Sequence, residues 1–121
     1  MTPERLAAHL EALPGALEDR PFGPSVQVFK IAGRMFAILG HRNDRLAVSL
    51  KCDPFLGEIL RAEHACITPG YHLNKRHWIT IEVDGSLGDD EILGLALHSY
   101  ERVKTKLTKA ERARLDEQRG R

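Results

Sequence analysis

Val26-Gln-Val-Phe-Lys-Ile31, Met35-Phe-Ala-Ile-Leu39 and Leu46-Ala-Val-Ser-Leu-Lys51 follow one another closely in a chain of 121 residues. The first run is rich in β-branched and aromatic residues, which suit a strand. The second is apolar at every position, the pattern of a strand buried on both faces. In the third, Leu46, Val48 and Leu50 alternate with Ala47, Ser49 and Lys51, so it should bury one face. Ala32-Gly33 separates the first two and suits a two-residue hairpin, because Gly33 tolerates positive φ. His41 to Arg45, containing Asn43-Asp44, is a polar turn before the third. Strands joined so tightly predict a three-stranded antiparallel meander.

Helical signals flank the meander. Thr2 can cap a first helix with Pro3 at its first position, and Leu6, Leu10 and Leu13 fall on one face before Pro14-Gly15 ends it. Ala16 to Pro24 reads as a loop punctuated by Pro21, Gly23 and Pro24. Asp53-Pro54 repeats the cap-and-proline signal, and Phe55, Leu56, Ile59 and Leu60 form a short stripe ending near Glu63. Ile79, Ile81 and Val83 alternate with Thr80 and Glu82 as a further strand, closed by Asp84-Gly85. Asp89, Asp90 and Glu91 place negative charge on the first turn of a third helix. Its stripe is Leu93, Leu97, Tyr100 and Leu107, with Ile92, Ala96 and Val103 alongside. Thr108-Lys-Ala-Glu111 is a capping box for a charged helix whose one sizeable apolar residue is Leu115, read as a solvated appendage. The fold class expected is α+β: a two-layer sandwich with an antiparallel sheet and helices on one face. One domain is expected over residues 1–108, with a charged helix or tail at 109–121.

Composition narrows the function. The chain is 42% hydrophobic and 29% charged, as in soluble globular proteins, with a net charge of +1. That balance excludes a strongly basic chromatin-type binder, so a nucleic-acid role must rest on local clustering of charge. No apolar run approaches the roughly 20 residues needed to span a bilayer. Met1-Thr-Pro-Glu-Arg5 lacks the apolar core of a signal peptide. Cys52 and Cys66 are too few for a disulfide framework, so a reducing cytoplasm is expected.

Thr68-Pro-Gly-Tyr-His-Leu-Asn-Lys-Arg-His-Trp78 carries the densest chemistry. It holds two histidines, a Tyr, a Trp, an Asn and two adjacent cations, and no carboxylate. Lys75-Arg76 suits phosphate, with Arg able to engage it bidentately. Tyr71, His72, His77 and Trp78 offer faces on which a base can stack, and Asn74 can read a base edge. A bland alternative packs Tyr71 and Trp78 over the sheet with the cations in water. Arg102, Lys104, Lys106, Lys109, Arg112 and Arg114 add charge on the last helices, but such a face is usually just solvated. His64, Cys66, His72 and His77 share one loop, yet their spacing matches no standard zinc site, so no metal or cofactor is expected. No nucleophile elbow or Gly-rich phosphate loop occurs, and no catalytic residues are assigned. Cys52 precedes a helix start that can lower a thiol pKa, but a buried filler is the simpler reading. His98 reads as a packing or helix-surface histidine.

Taken together, Leu13-Pro-Gly-Ala16, Pro21-Phe-Gly-Pro24, Val28-Phe-Lys-Ile31, Met35-Phe-Ala37, Leu50-Lys-Cys-Asp-Pro54, the Thr68–Trp78 motif, Asp84-Gly-Ser-Leu87 and His98-Ser-Tyr100 resemble the MmcQ/YjbR family of small bacterial proteins. The resemblance spans roughly Leu13 to Leu107. It implies an α-β(3)-α-β(2)-α order similar to secretion chaperones and CyaY-like (frataxin-like) domains, with an extra strand near Ala65 to Thr68. It also implies DNA binding, with sheet hairpins as wings, and supplies no catalytic residues. The functional surface expected is Lys51, Tyr71, His72, Asn74, Lys75, Arg76, His77 and Trp78. The first expectation is a non-enzymatic DNA-binding protein. The alternatives are a small anionic ligand-binding protein or enzyme centred on His72, Lys75 and His77, and a chaperone-like protein-interaction module.

Overall fold

The structure, a computed structural model, describes residues 1–119; the last two residues of the expected C-terminal tail lie outside them. The element order is α1 (Pro3–Glu11), β1 (Leu17–Asp19), β2 (Gln27–Ile31), β3 (Arg34–Arg42), β4 (Arg45–Lys51), α2 (Pro54–Glu63), β5 (Ile67–Pro69), β6 (Trp78–Glu82), α3 (Asp89–Lys104) and α4 (Lys109–Arg119). All strand pairs are antiparallel, and the sheet order is β1-β2-β3-β4-β6-β5. The α+β sandwich expected from the sequence is the architecture observed. Among the described residues, no helix is long and apolar enough to cross a membrane.

Local chemistry explains most boundaries. The backbone N–H of Arg5 donates to Thr2 Oγ1, that of Leu56 to Asp53, and Thr108 and Glu111 exchange the two bonds of a capping box. Both hairpin turns put two successive residues at positive φ: Ala32 and Gly33, then Asn43 and Asp44. That pattern matches the strand twist in two-residue hairpins. The second turn is therefore shorter than the sequence suggested, because β3 continues through Arg42. Leu17–Asp19, expected to be loop, forms an edge strand paired with β2.

The core lies between one sheet face and the helices. Leu6 and Leu10 of α1, Val48, Leu50, Ile79 and Ile81 of the sheet, and Ile92, Ala96, Tyr100 and Val103 of α3 belong to one buried cluster. A bulge in β3 opposite Phe29 and Lys30 brings both Phe36 and Ala37 into that cluster. Phe36 meets the edge of Tyr100, with ring centroids 5.5 Å apart. Leu115 belongs to the cluster too and is only 5% exposed, so α4 docks on the core where a solvated appendage was expected. The opposite face carries Ile38, Ala47, Ser49 and Thr80, which line a groove. Ile38 is thus half-buried, and β3 is not covered on both faces as its apolar run implied.

Candidate functional site

The loop after β5 is held in place by its own backbone. Gly70 N–H donates to Trp78 O, and the N–H groups of His77 and Trp78 both donate to Asn74 O. A Cβ on Gly70 would lie 2.6 Å from Trp78 Cβ, so only glycine lets the loop return this close to β6. Lys75 Nζ donates to Gly70 O at 3.0 Å, which fastens the loop with one of its two expected phosphate ligands. His72 adopts φ of 59°, costly for a residue with a Cβ. The result divides six of the eight predicted surface residues between two cavities.

The first cavity, about 180 Å³, is lined by Lys51, Asn74, His77, Trp78, Arg102 and Lys106. β4 and β6 place Lys51 directly opposite Trp78, and Lys51 Nζ lies 5.8 Å from the indole centroid, within cation–π reach. Trp78 is only 6% exposed, so it walls the cavity and is no open platform for a base. Ser99 of α3 fixes the end of β4: its hydroxyl accepts from the Lys51 N–H at 2.9 Å and donates to Phe36 O. Arg102, in the last turn of α3, and Lys106, in the turn that follows it, come from that same end of the helix layer. Asp53 lies 3.8 Å from Arg102 and offsets part of the charge. Burial and the neighbouring Lys106, Arg34 and Arg102 hold the Lys51 pKa below its ordinary value. The cavity is a small cationic cleft with an aromatic wall and an amide.

The second cavity, about 340 Å³, is the groove on the open sheet face. Tyr71 and His72 stand at its rim, their ring centroids 4.0 Å apart. Arg42 lies 4.7 Å from the Tyr71 ring centroid and donates to Thr68 Oγ1 at 2.8 Å. Thus Tyr71 and His72 go to one cavity and Lys51, Asn74, His77 and Trp78 to the other, while Lys75 and Arg76 line neither. His72, Lys75 and His77, expected as one centre, line no common cavity.

Other sequence candidates find quieter places. Among the described residues no three His, Cys, Asp or Glu side chains are grouped to hold a metal. Cys52 is buried, and burial followed by the Asp53 charge pushes its thiol pKa up, opposite to the helix-activated option. His98 Nε2 accepts from the Asp53 N–H at 3.3 Å, a packing role.

The YjbR family model matches residues 11–102, covering the meander, the loop and most of α3. The chain belongs to the YjbR family. YjbR of Escherichia coli K12 is 37% identical over 112 residues, covering 93% of this chain and 95% of that protein. YbdF of Escherichia coli O157:H7 is 32% identical over 95 residues, 78% of each chain. A Deinococcus radiodurans protein with a DUF419 domain shares the fold at a TM-score of 0.86 and 41% identity, covering 95% of this chain and 91% of that one. A Pseudomonas syringae protein does so at 0.73 and 28%, covering 84% and 98%. Both E. coli relatives are described as uncharacterized, so the chemistry of this YjbR-family chain has to be argued from its own residues.

Ser99, Arg42, Ser49 and Thr80 give no functional signal in the sequence. Arg102 and Lys106 look there like a solvated helix face. Lys106 lies in the turn after α3, so helical spacing does not bring the two cations together, and residue type alone gives no sign that they meet.

Proposed function

We propose that this protein binds a small oxyanion of the phosphate class in the cleft of Lys51, Asn74, His77, Arg102 and Lys106. The observation that carries the reading is the convergence of three cations on a cleft that no carboxylate lines. Packing Lys51 beside Arg102, Lys106 and Arg34 in part-buried surroundings is unfavourable in the empty protein, and a bound anion relieves it. Lys and Arg donors match phosphate oxygens, while Asn74 and His77 add polar groups that fix orientation. At about 180 Å³, the cleft suits one or two phosphoryl groups better than a whole nucleotide.

A second reading is DNA binding, in which the oxyanion is a backbone phosphate. It is favoured by Arg76, which is exposed between Asn74 and His77 and has no acidic partner among the described residues. Two features weigh against high affinity: the net charge is +1, and Lys75 is spent on Gly70.

The test is to record amide and indole NMR spectra during titration with pyrophosphate, and separately with a short DNA duplex at several salt concentrations. The first reading predicts saturable shifts centred on Lys51, Asn74, His77 and Trp78 with pyrophosphate alone. Much tighter duplex binding, with a salt slope of several phosphates that falls by roughly one on Arg76→Ala, makes the DNA reading the correct one. No saturable shift with either probe overturns both.

A further inference from the structure

The groove on the open sheet face is built apart from the cationic cleft and poses its own chemical question. Its floor carries two paired hydroxyls, because the register sets Ser49 opposite Thr80. Ser49 and Thr80 are 8% and 2% exposed, and their hydroxyl oxygens lie 2.8 Å apart. Thr80 Oγ1 also accepts from the Tyr71 N–H at 2.9 Å.

Each hydroxyl brings one hydrogen. One is used in the Ser49–Thr80 bond, whichever residue donates. Thr80 Oγ1 receives the Tyr71 N–H, so that contact consumes no hydroxyl hydrogen. The second hydroxyl hydrogen has no acceptor among the described residues. Both residues line the groove, so this hydrogen is available to an acceptor placed there.

The rest of the lining specifies what that acceptor belongs to. Arg42 supplies a permanent positive charge, and no carboxylate lines the groove. Val26, Ile38, Ala47 and Leu73 give apolar walls, while Phe22 and Tyr71 are aromatic lips, both largely exposed. Exposed aromatic side chains at the rim beside an apolar floor favour a flat ring over a flexible chain. His72, in its strained backbone conformation, belongs to the same rim, and such strain gathers at ligand clamps.

We propose that this groove is a second ligand site, for a small aromatic carboxylate whose ring lies between Phe22 and Tyr71. Its carboxylate accepts the spare Ser49–Thr80 hydroxyl hydrogen and pairs with the Arg42 guanidinium. A volume of about 340 Å³ admits one or two fused rings. The site is independent of oxyanion binding in the cleft, so either can fail without the other.

The probes are 1-naphthoate and its neutral amide, 1-naphthamide, followed by NMR and by quenching of Tyr71-side resonances. The expected result is saturable binding of naphthoate, at least tenfold tighter than the amide, with shifts at Ser49, Thr80, Tyr71 and His72. Arg42→Met should bring the two probes to within about twofold of each other, while Ala47→Leu, which fills the floor, should weaken both probes. Both variants are first checked for a wild-type unfolding transition; if Arg42→Met does not fold, the acid-to-amide ratio in wild type still decides. Equal affinity for the two probes, no saturable binding, or shifts confined to Lys51, Asn74 and His77 would overturn the proposal.

Discussion

Replacing Gly70 by alanine tests whether the loop geometry is as tight as the two cavities require. The added Cβ would lie 2.6 Å from Trp78 Cβ, 3.2 Å from Leu73 Cβ and 3.2 Å from Trp78 O. Ordinary carbon contacts fall at about 3.5–4.0 Å, so the loop must retreat by roughly 1 Å. Two of the three obstacles are the Trp78 carbonyl and a Cβ set by the β6 backbone, and no rotamer change moves them. Retreat also lengthens the Gly70 N–H bond to Trp78 O, now 2.9 Å. Overpacking of this kind costs about 1–3 kcal/mol, and a weakened backbone bond adds about 1 kcal/mol. For a chain of this size 2 kcal/mol corresponds to roughly 8 °C in the thermal midpoint. Gly94 is the matched control: it is exposed within α3, and an added methyl there would meet nothing within 4 Å. Gly94→Ala should raise stability by about 0.5–1 kcal/mol through helix propensity alone. Urea unfolding of both variants, read by far-ultraviolet circular dichroism, gives the comparison. A Gly70→Ala cost below about 0.5 kcal/mol would refute the close-approach reasoning.

Three further outcomes follow from the packing. Ser99→Ala leaves the Lys51 N–H and Phe36 O without their shared partner in a fully buried place, and should cost about 2 kcal/mol or more in chemical denaturation. Leu115→Ala should cost about 2–3 kcal/mol if α4 is docked as described; a change within about 0.5 kcal/mol would return α4 to a solvated appendage. His98 has its pKa held below the ordinary value, first by burial and then by Arg102, with Asp53 acting the other way. Between that lowered value and about 6.5 the unfolded chain binds more protons than the folded one, so stability should fall as pH drops from about 7 toward 5. His98→Gln, which keeps an acceptor for the Asp53 N–H without titrating, should show a shallower fall, and an unchanged slope would count against the assignment.

Much of the fold is written in local signals. Thr2, Asp53 and the Thr108–Glu111 pair cap the helices whose starts they mark in the sequence, and Ala32-Gly33 makes the turn its spacing requires. Strand β1 is illegible for a physical reason: Leu17, Glu18 and Asp19 are all exposed, so an edge held by pairing with β2 leaves no hydrophobic alternation to read. Leu115 misleads because a single apolar residue on a charged helix shows no stripe, although one anchor suffices once the core lies beneath it. The functional loop is recognisable from composition, but its division is not. Whether Tyr71 and Trp78 face one cavity or two depends on the turn at Gly70 and on His72 entering positive φ, and neither is visible in residue type. The cleft also needs Lys51, Arg102 and Lys106 from elements far apart in sequence, brought together only by sheet register and the Ser99 clasp. Ser49 and Thr80 look in the sequence like ordinary solvent-side strand residues, although both are buried.

The measurement that bears most directly on the cationic cleft is calorimetric titration of pyrophosphate into wild type and Lys51→Met, paired with their unfolding in anion-free buffer. Removing one charged donor from an oxyanion should weaken binding roughly ten- to a hundredfold. In anion-free buffer the same variant should be at least as stable as wild type, because Lys51 is crowded by burial and by Lys106, Arg34 and Arg102. Affinity unchanged by Lys51→Met, or a loss fully explained by a less stable fold, would contradict the account.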